Sequence, residues 1–186
     1  IIEDSKKNIW ISVHNKGVIK YSLGTKNSTL YKVSIDGGNL SSKEIRCITE
    51  DSNGNIWFSS FDKGITVYNP YNNTYLYYNS KNSQLPTDAI LRICKLQDGS
   101  MLIATQDAGL WIYDKASNTF IKSENRSTAF ALSQTKDNNI LIGTEGAGLF
   151  WTNDGRNIKK HQSVPTRMKD ISNSKIHCLL EDVNGN

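Results

Sequence analysis

The run IRCITEDSNGNIWFSSFDKGITVYN, residues 45–69, reads as three short apolar segments, Ile45 to Glu50, Ile56 to Ser60 and Ile65 to Tyr68, separated by turn residues. The chain repeats it. A tryptophan or leucine is followed seven residues later by glycine at Trp10 and Gly17, Trp57 and Gly64, Leu102 and Gly109, and Leu141 and Gly148, with steps of 47, 45 and 39 residues between successive glycines. Self-similarity at that interval marks a protein assembled from stacked copies of one small sheet. The copies lie at approximately 1–35, 45–79, 90–123 and 128–162, and a fifth opens with Ile176-His-Cys-Leu-Leu-Glu-Asp182, predicted as the first strand of the next sheet.

Runs of four to seven residues rich in Ile, Val, Trp, Tyr and Thr, bounded by Asn, Gly, Asp and Ser, are strand signals, and almost no helix is expected. The Asn-Gly pairs in Asp51-Ser-Asn-Gly-Asn55 and Asp182-Val-Asn-Gly-Asn186 suit the primed turns of antiparallel hairpins. The recurring glycine at the head of the third strand suits positive φ or a close backbone approach. Four antiparallel strands repeated every 39 to 47 residues match the blade of a β-propeller, whose sheets are buried on both faces. Leucine-rich solenoids and parallel β-helices need shorter periods. The predicted fold is all-β, about four four-stranded blades plus the first strand of a fifth.

The pattern Ile-x-x-Ile-x-Glu-Asp-x-x-Gly-Asn-Ile-Trp, continued by Ser, Gly-Ile and Tyr-Asn up to Asn69, resembles the two-component regulator propeller repeat. The lead-ins Leu40-Ser-Ser-Lys-Glu-Ile45, Leu85-Pro-Thr-Asp-Ala-Ile90 and Ile171-Ser-Asn-Ser-Lys-Ile176 agree with it. Copies three and four depart, with Leu102 and Leu141 for the tryptophan and Ser127-Thr-Ala129 for the lead-in. The resemblance implies a segment of a larger, seven-bladed type propeller. It also implies a periplasmic sensor region of a hybrid two-component system, detecting oligosaccharide and relaying to a histidine kinase outside the segment.

Length and composition set bounds. Four blades and one strand leave a sheet face of ~500 Å² open at each end, worth about 12 kcal/mol at roughly 25 cal/mol per Å². Further blades of the same receptor, or a second copy of the chain, are expected to cover those faces, and the full receptor is expected to be a homodimer. The net charge of +4 comes from 22 basic and 18 acidic residues scattered over turns, which argues against nucleic acid. No apolar run approaches the roughly 18 residues of a membrane span. Lys159-Lys-His161 reads as a solvated outer strand. Cys47, Cys94 and Cys178 fall in predicted innermost strands and read as small buried hydrophobes without a bridge or metal. Asp51 to Asp62 lacks the glycine and glutamate spacing of a calcium loop. The pairs Glu3-Asp4, Glu50-Asp51 and Glu181-Asp182 recur, which suits hairpin architecture better than a catalytic pair needed once. No cofactor is implied.

Candidate ligand contacts lie where second-to-third-strand loops and blade lead-ins crowd one mouth of a propeller channel. The first kind supplies His14, Asn15, Lys16, Phe61, Asp62, Lys63, Gln106, Asp107 and Glu145; the second supplies Lys43, Glu44, Asp88 and Lys175. Mixed Asn, Asp, Lys, Gln and His with an aromatic platform suit sugar hydroxyls. Trp111 and Trp151 are expected to fill space between blades, and Tyr71, Tyr75, Tyr77 and Tyr78 mark a tyrosine-rich outer strand and turn. The reading is a non-enzymatic, extracytoplasmic sensing propeller. The alternatives are a propeller lyase or glycosidase, which needs an unrepeated carboxylate, His or Tyr cluster, and a protein-binding scaffold, which needs a broad apolar patch around Tyr75 to Tyr78.

Overall fold

The apolar runs of the four copies become strands of four separate antiparallel sheets, each connected in simple up-and-down order. The computed structural model describes residues 1–33, 39–124, 127–160, 171, 173–182 and 184, and among them there is no helix. Sheet one holds β1 (Ile2–Glu3), β2 (Asn8–Val13), β3 (Gly17–Ser22) and β4 (Asn27–Tyr31), and sheet two β5 (Ile45–Glu50), β6 (Ile56–Ser60), β7 (Ile65–Asn69) and β8 (Thr74–Tyr78). Sheet three holds β9 (Ile90–Lys95), β10 (Met101–Thr105), β11 (Leu110–Asp114) and β12 (Thr119–Lys122), and sheet four β13 (Ala129–Gln134), β14 (Ile140–Thr144), β15 (Leu149–Thr152) and β16 (Lys159–Lys160). The chain forms two compact units, Ile1–Ile93 and Cys94–Asn186.

In the first unit, β2 lies along β5, and the two sheets enclose Trp10, Val18, Leu40, Ile48, Ile56, Phe58 and Tyr68. Tyr31 and Tyr75 pack against this core, Tyr31 with ring centroids 5.2 Å from Trp10 and 5.3 Å from Tyr68. Burial, with neighbouring tyrosines, pushes the Tyr75 phenol up to about 12. In the second unit, Leu96, Leu102, Ala104, Leu110, Ile112, Ala129, Ile140 and Ile142 form the core.

The recurring aspartate has a structural task. Asp4 Oδ1 accepts the amides of Lys6 and Asn8, and its Oδ2 accepts Asn8 Nδ2 and, at 2.7 Å, the indole N–H of Trp10. Asp51 repeats this with Asn53, Asn55 and Trp57 Nε1 at 3.0 Å. One carboxylate thus shapes the hairpin and satisfies the donor of a buried tryptophan. Copies lacking the tryptophan lack the aspartate too: Leu96 stands before Leu102 and Thr135 before Leu141, at the same six-residue separation.

This anchoring corrects the expected primed turn at Asn53-Gly54. Only Gly54 has positive φ (+78°), because the Asp51 carboxylate holds the Asn53 amide and Gly54 N–H returns to Asp51 O. Lys7, Gly99 and Asn138 occupy the same left-handed position in the other copies.

The recurring glutamate also has one. Glu50 accepts both the amide and the hydroxyl of Ser5, 45 residues earlier, so it fastens sheet two to the hairpin tip of sheet one. Glu181 accepts the Lys136 amide at 2.6 Å over the same separation.

Some expectations do not hold. Residues 176–182 form no strand: Lys175 makes an isolated bridge to Glu145, Ile176 N–H donates to Thr144 O, and Ile176 sits where a side chain on Gly143 would. Cys178 is exposed, not buried. Cys47 and Cys94 are half-buried; the Cys47 thiol donates to Ile93 O, and its burial pushes its pKa up. Trp111 and Trp151 are half-buried, Trp111 donating to Ala108 O and Trp151 lying under Lys159. His161 lies outside the described residues.

The loop after β15 predicts an acid-sensitive local contact. Burial raises the Asp154 pKa, but hydrogen bonds from Asn157, Arg156 and Thr152 outweigh it and hold the carboxyl down to about 2. A depressed carboxyl contributes stability that is complete above its unfolded pKa of about 4 and lost as pH falls toward 2. Asp154→Asn is therefore expected to flatten the acid limb between roughly pH 4 and 2, measured by thermal melts across that range.

Candidate functional site

The loops joining second to third strands are built alike in three copies. Ser60, Thr105 and Thr144, each the last residue of its strand, donate their hydroxyls to the carbonyls of Gly64, Gly109 and Gly148 and accept the amides of Lys63, Ala108 and Ala147. This lock projects the two or three intervening residues outward on a fixed frame. Copy one has Val13 there, and its loop is closed instead by Lys16 N–H to Val13 O with Asn15 at φ +58°.

Each of these loops meets the lead-in to the next sheet. His14 Nδ1 lies 3.6 Å from Glu44, Gly64 N–H donates to Asp88 O, Thr128 Oγ1 donates to Gln106 O, and Lys175 lies 3.5 Å from Glu145. The two kinds of loop that the sequence paired are therefore brought together within each unit.

The second copy adds a cleft of about 330 Å³, lined by Ser41, Asp62, Lys63, Tyr77, Asn79, Lys81 and Asp88. Its walls are fixed by their own bonds. Ser42 Oγ donates to Asp62 Oδ1 at 2.6 Å, and the Ser80 amide donates to Asp88 Oδ1 at 2.7 Å. Asn79 is held through its amide by Asn82 Oδ1 and through its Oδ1 by the Lys81 amide. Tyr77 Oη donates to Asn39 O at 2.7 Å and stacks with Tyr75, ring planes 9° apart. Ser41 Oγ shares a 2.7 Å hydrogen bond with Thr66. Lys63 and Lys81 are exposed and make no ion pair among the described residues. The cleft thus offers two exposed ammonium groups, two positioned carboxylates, a hydroxyl, an amide and a tyrosine edge.

Of the residues singled out from sequence, Asp62, Lys63 and Asp88 line this cleft. Phe61 is 42% exposed beside it in sequence, with Arg46 5.1 Å from its ring. Asn15, Lys16, Lys43 and Asp107 are exposed, and Gln106 is half-buried. Ser41, Tyr77, Asn79 and Lys81 were missed. The Tyr77 side chain turns into the cleft, leaving Leu76, at 58% exposure, and Tyr71, at 65%, as the open apolar residues of that stretch; no broad tyrosine patch forms around Tyr75 to Tyr78.

Residues 39–62 match the family described as two component regulator propeller, a match that takes in the Asp51 turn, Trp57 and Asp62. No curated protein matches the chain. Its fold is similar to the extracellular domain of B. thetaiotaomicron BT3049, assigned as a hybrid two component system, at 16% identity and a TM-score of 0.65 over 98% of this chain and 30% of that one. The corresponding domain of BT4673 from the same organism gives 21% identity and 0.61 over 99% and 29%. Virginiamycin B lyase from Staphylococcus aureus gives 16% and 0.69 over 90% and 55%. The chain spans about 30% of the length of the two extracellular domains it resembles. Residues 39–62 are thus similar to a two component regulator propeller repeat, and the four sheets have the fold of blades of a β-propeller segment.

Proposed function

We propose that this chain is a ligand-sensing propeller segment of an extracytoplasmic, periplasmic receptor of the hybrid two-component type, and that it binds oligosaccharide in the cleft around Asp62, Lys63 and Asp88. The cleft carries the reading. At about 330 Å³ it stands at the small end of the roughly 300–1,000 Å³ typical of ligand sites, room for a terminal sugar unit with the rest of the chain outside. Its alternating donors and acceptors match vicinal hydroxyls, and the Tyr77 ring offers an apolar edge for a pyranose face. Likeness to extracellular domains of two-component proteins supports the setting. Among the described residues no helix is long and apolar enough to cross a membrane.

A non-enzymatic role is supported by the occupation of the acidic groups. Asp4 and Asp51 hold hairpins and Glu50 and Glu181 staple sheets. Binding acts by favouring one arrangement of propellers or of a receptor homodimer over another, since only differential affinity can move such an equilibrium. The signal passes to a histidine kinase elsewhere in the receptor.

The test is calorimetric titration against a panel of neutral and acidic oligosaccharides. One should bind, and Lys63→Ala and Lys81→Ala should each weaken it by roughly 10- to 150-fold, the equivalent of the roughly 1.5–3 kcal/mol of a charge-assisted hydrogen bond. Binding to none would overturn the reading, and product release from a bound glycan, seen by mass spectrometry, would replace it with a propeller enzyme.

A further inference from the structure

Four charged groups line the cleft of the second sheet, two of each sign, and none of them pairs with another. The ion pairs among the described residues join Lys7 to Glu3, His14 to Glu44, Arg156 to Asp114 and Lys175 to Glu145; Asp62, Lys63, Lys81 and Asp88 take part in none. Their backbones are nevertheless fixed. The Lys63 amide donates to Ser60 Oγ and the Lys81 amide to Asn79 Oδ1, each at 2.9 Å, so both ammonium stems leave from hydrogen-bonded turns. Gly64 N–H, donating to Asp88 O at 2.9 Å, ties the loop that carries Asp62 and Lys63 to the lead-in that carries Asp88. The carboxylates are half satisfied. Oδ1 of Asp62 accepts the Ser42 hydroxyl and Oδ1 of Asp88 the Ser80 amide, while Oδ2 of each receives no donor among the described residues.

The two signs ask for different ligand groups. An ammonium has three donors and no acceptor and gains most from an anion, whereas a carboxylate oxygen only accepts and gains from a hydroxyl. A neutral sugar would answer Asp62 and Asp88 but leave both ammonium groups without a counter-charge. A bare polyanion would answer Lys63 and Lys81 but meet two like charges, the arrangement that rejects wrong partners. Resting on the oligosaccharide reading above, we propose that this cleft selects an acidic sugar, whose hydroxyls donate to Asp62 and Asp88 and whose carboxylate or sulfate accepts from Lys63 and Lys81. With about 330 Å³ available the cleft takes one sugar unit, so the acid and the hydroxyls belong to the same terminal residue of the glycan.

The experiment is calorimetry of the chain with trisaccharides ending in glucuronate or galacturonate, each beside its twin with the carboxyl group reduced to the alcohol, and with sulfated trisaccharides beside their desulfated twins. At least one acidic member should bind roughly tenfold or more tighter than its neutral twin, and the leading arm identifies the acid as carboxylate or sulfate. That lead should shrink as salt rises from about 50 to about 300 mM, because exposed ammonium groups are screened. Lys63→Gln and Lys81→Gln, checked for unchanged melting temperature, should each erase most of the lead, and Lys63→Arg and Lys81→Arg should keep it. Neutral glycans binding as tightly as every acidic one would overturn the acidic selection and leave the oligosaccharide reading standing. Inorganic sulfate binding as tightly as the acidic sugars would overturn it in favour of a plain anion site, and binding of no glycan at all would overturn both readings.

Discussion

Replacing Asp4 with alanine is expected to lower the melting temperature by about 10 °C. The substitution removes five accepted hydrogen bonds and leaves the indole N–H of a fully buried Trp10 without a partner. An orphaned buried donor costs on the order of 1–3 kcal/mol, and bonds to a charged acceptor are worth roughly 1.5–3 kcal/mol. With partial relaxation, about 3 kcal/mol is a reasonable total, and a chain of this size shifts by roughly 2–4 °C per kcal/mol. Asn at position 4 should be nearly as harmful, because its amide would turn a donor toward one of the donors that Oδ1 and Oδ2 now accept. Acid should have the same effect on the native protein. Burial raises the Asp4 pKa, but the bonds from Trp10, Asn8 and Lys6 outweigh it and lower the pKa on balance. Its contribution is therefore complete above the unfolded value of about 4 and disappears as pH falls through the lower folded value. Thermal melts of wild type and variant should converge at low pH, and parallel curves at every pH would show that the carboxylate is not what holds the turn.

Gly64→Ala is expected to cost still more, over 3 kcal/mol. Two independent obstacles coincide: φ is +73°, which strains any side chain, and an added Cβ would lie 2.2 Å from the Tyr78 carbonyl oxygen. That oxygen belongs to the neighbouring strand, so relief requires β7 and β8 to separate. Gly17 meets the same obstacle at Tyr31 O. Gly24, with open space around its Cβ and no positive φ, is the internal control, and Gly24→Ala should change stability by less than about 1 kcal/mol. Denaturant unfolding measures both, and a mild Gly64→Ala would mean the third strand does not need its close approach.

The architecture was readable because period and composition report backbone geometry directly. Trp57 and Gly64 sit at fixed offsets in every copy, since each sheet must bury the same centre and pass the same tight start of its third strand. Long-range partnerships were not readable. Glu50 meets Ser5 only because sheets one and two stack in one register, and nothing local to either residue carries that information. The same reason hid half of the cleft. Tyr77 and Lys81 look like an ordinary outer strand and its following turn, and only the lead-in at Ser41 and the loop at Asp62 convert them into walls. One clue was present and passed over: aspartate and tryptophan vanish together in copies three and four. The fifth strand failed for the opposite reason, its composition being right while its backbone contact with sheet four is limited to the Lys175 bridge and the Ile176 N–H to Thr144 O bond.

That joint disappearance constrains how such repeats can drift. The centre of a blade is built in two ways, with an indole tethered to an acid as in Asp4 with Trp10, or with neither, as in Leu96 with Leu102 and Thr135 with Leu141. Crossing from one to the other by single substitutions passes through an aspartate that has lost its indole partner, or an indole with no carboxylate to accept its N–H. Lineages must either change both positions together or traverse a weakened intermediate while the neighbouring blades keep the molecule folded.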